Sequence, residues 1–190
     1  MRSHALLVAG LTLALWSPAG AATEIKVDSN TAFYKGETLS YVVYPPDQCR
    51  MVEQEATADG YSFGFIPEAQ AYEDADLLIG VNIFKIRGLK FSEVLRQDTV
   101  ALRDHYGPRV AIWPIDSVRA ATGQLLPTFF INDTTRFIPN VMIAYVDGRT
   151  EMLVFELVIS DRMTRIKAED AFVQCLRRLK IMPIGELGRK

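Results

Sequence analysis

The chain has 190 residues, 49% of them apolar and 23% charged, with 21 basic against 23 acidic side chains and a formal charge of −2 at pH 7. That length and apolar share suit one domain with a full hydrophobic core. The slightly acidic balance excludes a general affinity for nucleic acid or anionic membranes.

Behind Arg2 comes the apolar run from Ala5 to Trp16, then Ser17-Pro18 and the small residues Ala19-Gly20-Ala21. The run is too short to span a hydrocarbon core of about 30 Å, and the small residues supply what signal peptidase requires at positions −3 and −1. Residues 1–21 are therefore expected to be a secretory signal peptide cut after Ala21 or Ala22, and residues 22–190 a single exported domain, periplasmic or secreted. Cutting there removes Arg2 and no acid, leaving 20 basic against 23 acidic side chains. No second apolar segment reaches spanning length, so no integral membrane segment is expected after cleavage.

Alternation in Glu24-Ile25-Lys26-Val27 and in Leu39-Ser40-Tyr41-Val42-Val43-Tyr44 predicts strands, the second ended by Pro45-Pro46, which cannot donate to a ladder. Residues 51–57 and 61–66 flank the turn-rich Ala58-Asp59-Gly60 and predict a hairpin. The apolar run 77–86 predicts a central strand. The period then changes: Leu95, Thr99, Leu102 and Tyr106 recur at helical spacing, with Ser92 as the expected N-cap and Gly107-Pro108 as the stop. Residues 109–115, 124–131, 141–146 and 151–159 return to strand character, the last two joined around Asp147-Gly148. Residues 165–181 predict a closing helix with Ala168, Ala171, Phe172, Cys175, Leu176 and Leu179 on one stripe. The fold class is α+β: a mainly antiparallel sheet packed against a long central helix and a C-terminal helix.

Cys49 and Cys175 are the two cysteines. Export places them in oxidising surroundings, and their spacing is unlike a CxxC redox motif. A structural disulfide between them is expected, closing a loop of about 126 residues for roughly 4 to 5 kcal/mol.

The residues give little catalytic chemistry. His105 is the one histidine beyond the signal segment and sits near a helix end, so no metal site and no catalytic triad can be built on histidine. Neither a phosphate-cradling glycine loop nor a dinucleotide motif is present, and no cofactor is expected. Glu73, Asp74 and Asp76 cluster without the ligand pattern of a calcium loop and read as a solvated loop. Charge is segregated along the chain, with seven acids and no Lys or Arg in 51–84, then six basic residues against three acids in 85–109. If these segments face apart, the molecule has a polar axis suited to orienting on a charged partner. Tyr61, Phe63 and Phe65 alternate with Ser62 and Gly64, which places three rings on one face, either as core or as a partner surface.

The segments LSYVVYPP, TGQLLP before TFFIN, the hairpin VMIAYVDGRTEMLVFELVIS and the helix AFVQCLRRLKI follow one another in an order that resembles PsbP-like proteins and their bacterial periplasmic relatives. The resemblance implies an α+β architecture and action as a binding or assembly factor rather than as a catalyst. The expected function is that of an exported, non-enzymatic factor binding another envelope or periplasmic protein, as an assembly factor, accessory subunit, or inhibitor or immunity-type protein. An alternative is a small apolar-ligand binder whose cleft between sheet and helix is lined by Trp113, Phe129 and Phe130. A third is a hydrolase working with converging carboxylates alone.

Overall fold

A computed structural model describes residues 25–28, 30–86, 88–106, 110–133, 141–160 and 163–184. The expected signal segment, residues 1–21, lies outside them. The chain opens with β1 (Ile25–Asp28), β2 (Thr31–Lys35), β3 (Leu39–Val43) and β4 (Cys49–Val52), followed by a short helix α1 (Gln54–Ala58). Next come β5 (Phe63–Pro67), β6 (Leu77–Lys85) and α2 (Phe91–Tyr106). The strands β7 (Val110–Arg119), β8 (Leu125–Asp133), β9 (Val141–Asp147) and β10 (Glu151–Ile159) follow, and α3 (Arg165–Arg178) and β11 (Lys180–Pro183) close the described chain.

Among the described residues the strands form two sheets, one ordered β1-β2-β3-β11 and one ordered β4-β5-β6-β10-β9-β8-β7. Every pairing is antiparallel. In the larger sheet β10 is central and all nine of its residues are buried, which is why its sequence lacks a solvent face. Leu153, Phe155, Leu157 and Ile159 join a core with Phe172, Cys175, Leu176 and Leu179 of α3 and with Tyr41 and Val43 of the smaller sheet. On the opposite face, Met152 and Val154 pack with Val94 and Leu102 of α2. Val158 packs there with Ala56 of α1, Tyr61 and Tyr72. The larger sheet is thus covered on both sides.

The two sheets are stitched together at the β9–β10 hairpin. The Glu151 carboxylate accepts from the Glu37 backbone N–H at 3.1 Å and from the Tyr41 hydroxyl at 3.3 Å, and the Thr38 hydroxyl donates to the Gly148 carbonyl at 3.2 Å. Glycine is required on both sides of this stitch. A Cβ on Gly36 would stand 1.6 Å from Glu151 Oε1, and one on Gly148 would stand 2.0 Å from the Tyr41 hydroxyl. Burial raises the Glu151 pKa against the opposing effect of these hydrogen bonds.

Several expectations change against this frame. The predicted hairpin across residues 51–66 does pair, as β4 with β5, but α1 is inserted between its strands because Val52 and Ala56 find a common core. The central helix is not the long one expected: α2 has 16 residues against 14 in α3, and it packs on one face of the sheet. Ser92 falls inside α2 instead of capping it. The strands β2 and β11 were not predicted; β11 begins two residues after α3 and pairs with β3. At the outer end of the large sheet, β7 carries Pro114, and its register with β8 slips between Ile115 and Val118.

Candidate functional site

The cysteine expectation is corrected first. Cys49 and Cys175 are buried free thiols with no disulfide between them. Cys175 turns its Sγ to the Tyr44 carbonyl, 3.4 Å away. Burial raises both thiol pKa values, that of Cys49 to about 11, so neither is an activated nucleophile.

The aromatic face is corrected next. Phe63 and Phe65 lie edge to face at 5.8 Å in the α3 core, both fully buried. Tyr61 precedes β5 and belongs to the opposite core. No partner surface exists there because β5 lies between β4 and β6 in a sheet covered on both faces. The expected cleft is not formed either, since consecutive residues on a strand point to opposite faces. Phe129 stacks edge to face on Tyr145 at 5.9 Å on the α2 side, whereas Phe130 joins the α3 core and contacts Trp113 at 6.3 Å. His105 lies in α2 with its side chain outside the described residues. Glu73 and Asp74 are exposed, and Asp76 is tied to Gln70 and Ser160. Among the described residues no acidic, cysteine or histidine group is placed to hold a metal ion.

Sequence reasoning missed a pair of buried carboxylates. On α2 the buried stripe reads Val94, Asp98, Leu102, with Asp98 only 3% exposed. On β10, Glu156 stands between Val154 of the α2 core and Val158 of the α1 core, 2% exposed. The Tyr145 hydroxyl donates to Asp98 Oδ2, and the Tyr61 hydroxyl donates to Glu156 Oε2 at 3.1 Å. Tyr61 reaches Glu156 across Gly80, where a Cβ would stand 2.2 Å from its ring. The second oxygen of each carboxylate has no hydrogen-bond partner among the described residues. Burial therefore raises Asp98 to about 6 and Glu156 to about 7, with the Asp98 charge adding to the latter and the tyrosine bonds opposing both. Converging acids were the condition for a hydrolase, but these two fill the seam between two cores, out of a substrate's reach.

Exposed apolar surface gathers instead where β7 meets α3. Trp113 is 53% exposed, Ile115 lies two residues along the same strand at 38%, and Ile166 in the first turn of α3 is 73% exposed. The Arg165 guanidinium lies 3.9 Å from the centre of the Phe130 ring that backs Trp113. Phe130 thus neighbours both Trp113 and the Arg165 guanidinium, and about half of Trp113 remains exposed. About 20 Å further along α3, by the helical rise of 1.5 Å per residue, a groove of about 570 Å³ opens between Tyr44, Ala121 and the cations of the helix end.

No described helix is long and apolar enough to cross a membrane. The sequence matches no protein-family model and none of the curated proteins. Among solved structures the chain is similar to the solution structure of cyanobacterial PsbP (CyanoP) from Synechocystis sp. PCC 6803, at 12% identity and a TM-score of 0.48, over 87% of this chain and 99% of that one. A likeness of this extent leaves function to be read from the chain's own residues.

Proposed function

We propose that this chain is an exported, non-catalytic factor that binds another protein of the cell envelope through the β7–α3 surface. The observation that carries the reading is Trp113, half exposed, two residues from the exposed Ile115 on the same strand and backed by Phe130, over whose ring Arg165 lies. Tryptophan and arginine are among the residue types that most often dominate binding energy at protein interfaces. Export rests on the layout of residues 1–21.

The test is capture from envelope extracts with three baits: the natural chain, Trp113→Asp and Leu125→Asp. Leu125 is 52% exposed and pairs with Arg119 at the far end of β7, so it controls for a new surface charge. A partner is expected to co-purify with the natural chain and with Leu125→Asp and to be depleted at least tenfold by Trp113→Asp, all three baits melting at the same temperature. Equal recovery by all three would reject this surface as the docking site.

A further inference from the structure

We propose that the groove at the C-terminal end of α3 is a binding site for a small organic anion, meaning a carboxylate or phosphate carried on a flat apolar body. The groove holds about 570 Å³, within the range of pockets that bury small ligands. Tyr44, Pro45 and Ala121 supply its apolar wall, and Arg177, Arg178 and Lys180 supply its charge. Each cation has a different status. Arg178 is committed to the fold: it bonds Asp47 at 2.7 Å and the Pro45 carbonyl at 3.1 Å. The Asp47 carboxyl, held below its usual pKa by that guanidinium and by Gln174, is fully used by them. Arg177 and Lys180 are exposed and form no ion pair among the described residues. Two cations with no ion-pair partner among the described residues therefore line one groove with an apolar wall.

Capping of the helix does not account for both. Cations in the last turn complement the negative end of the helix dipole, and Arg177 and Arg178 stand there. Lys180 lies beyond the helix on β11, with its ammonium 5.3 Å from the centre of the Tyr44 ring. Lys180 over the Tyr44 ring and Arg177 in the same lining form a clamp: the acidic group bridges Arg177 and Lys180, and the apolar body lies against Tyr44 and Pro45. Asn30, also in the lining, is tied to β4: its side chain donates to the Cys49 carbonyl at 3.0 Å and accepts from the Met51 N–H at 2.6 Å.

The site is tested by NMR titration at low salt with phenyl phosphate, benzoate, inorganic phosphate and benzyl alcohol. Phenyl phosphate and benzoate are expected to give saturable shifts centred on Tyr44 and Arg177, at least tenfold tighter than inorganic phosphate or benzyl alcohol. The double variant Arg177→Ser/Lys180→Ser, which spares the Arg178–Asp47 tie, should weaken binding at least tenfold with an unchanged melting temperature. Tyr44→Leu should weaken phenyl phosphate more than inorganic phosphate. Vesicles of an anionic phospholipid form a separate arm: displacement of phenyl phosphate by them assigns the site to a lipid headgroup, and no displacement assigns it to a soluble anion. Absence of saturable shifts, equal binding by benzyl alcohol, or unaltered binding in the double variant would each overturn the proposal.

Discussion

Asp98 and Glu156 show how a single residue can occupy a place the surrounding pattern reserves for another kind. Asp98 takes the middle of a stripe, four residues from Val94 and four from Leu102, where an apolar side chain is expected. Glu156 interrupts the apolar run that follows Glu151 in β10. Among the described residues Tyr145 acts on Asp98, and Tyr61 and the Asp98 charge act on Glu156. The sign of the pH effect follows. Unfolded values lie near 4, whereas the folded values are about 6 and about 7. Below pH 4 both states hold the protons and the pair costs nothing. Between pH 4 and 7 the unfolded chain releases protons that the folded chain keeps, so stability declines as pH rises, and above pH 7 the decline is complete. Its size is on the order of 3 kcal/mol for each group. Glu156→Gln is therefore expected to melt close to the natural chain at pH 4 and clearly above it at pH 8, by thermal unfolding followed by circular dichroism. Superimposable profiles at both pH values would show that Glu156 gains no proton on folding.

At the scale of elements, the period of the sequence located the core strands and both longer helices, because β6, β9 and β10 are predominantly apolar and α2 and α3 carry stripes. It did not reveal β2 or β11. They have five and four residues, β2 lying between β1 and β3 and β11 beside β3, and segments that short carry too few repeats to stand out. The same limit hid the groove, whose lining spans Asn30 to Lys180 and comes together only when β11 returns beside β3. Trp113 was legible as a residue of interest but not its exposure, which depends on β7 being the last strand of the sheet. The stitch at Glu151 couples the two sheets as elements. Glu151→Ala would leave the Tyr41 hydroxyl and the Glu37 N–H without their acceptor, at about 1 to 3 kcal/mol. Amide exchange is expected to accelerate in β2 and β3 well before β6 and β10 respond. Uniform acceleration throughout the chain would show that the sheets open together without the stitch.

Taken as a whole molecule, the structure sets the acidic segment and the basic segment over different parts of one sheet face: α1 with Tyr72 covers β5 and β6, and α2 covers β8 and β9. The α3 side of the same sheet carries the apolar surface at one end of the helix and the cationic groove at the other. A partner lying along α3 would meet both. Among the described residues no strand pairs with the outer edge of β7, and an unpaired edge beside Trp113 and Ile115 invites pairing with a second copy and growth into insoluble stacks. Pro114 sits between those two residues and has no N–H to offer an incoming strand, and the slipped register after Ile115 bends the edge away from a straight ladder. The proline thus allows the protein to keep a sticky surface without polymerising. Pro114→Val should restore the missing donor and cause concentration-dependent aggregation, seen as rising light scattering at temperatures where the natural chain stays monodisperse. A Pro114→Val chain that remained equally dispersed would assign edge protection to the slipped register alone.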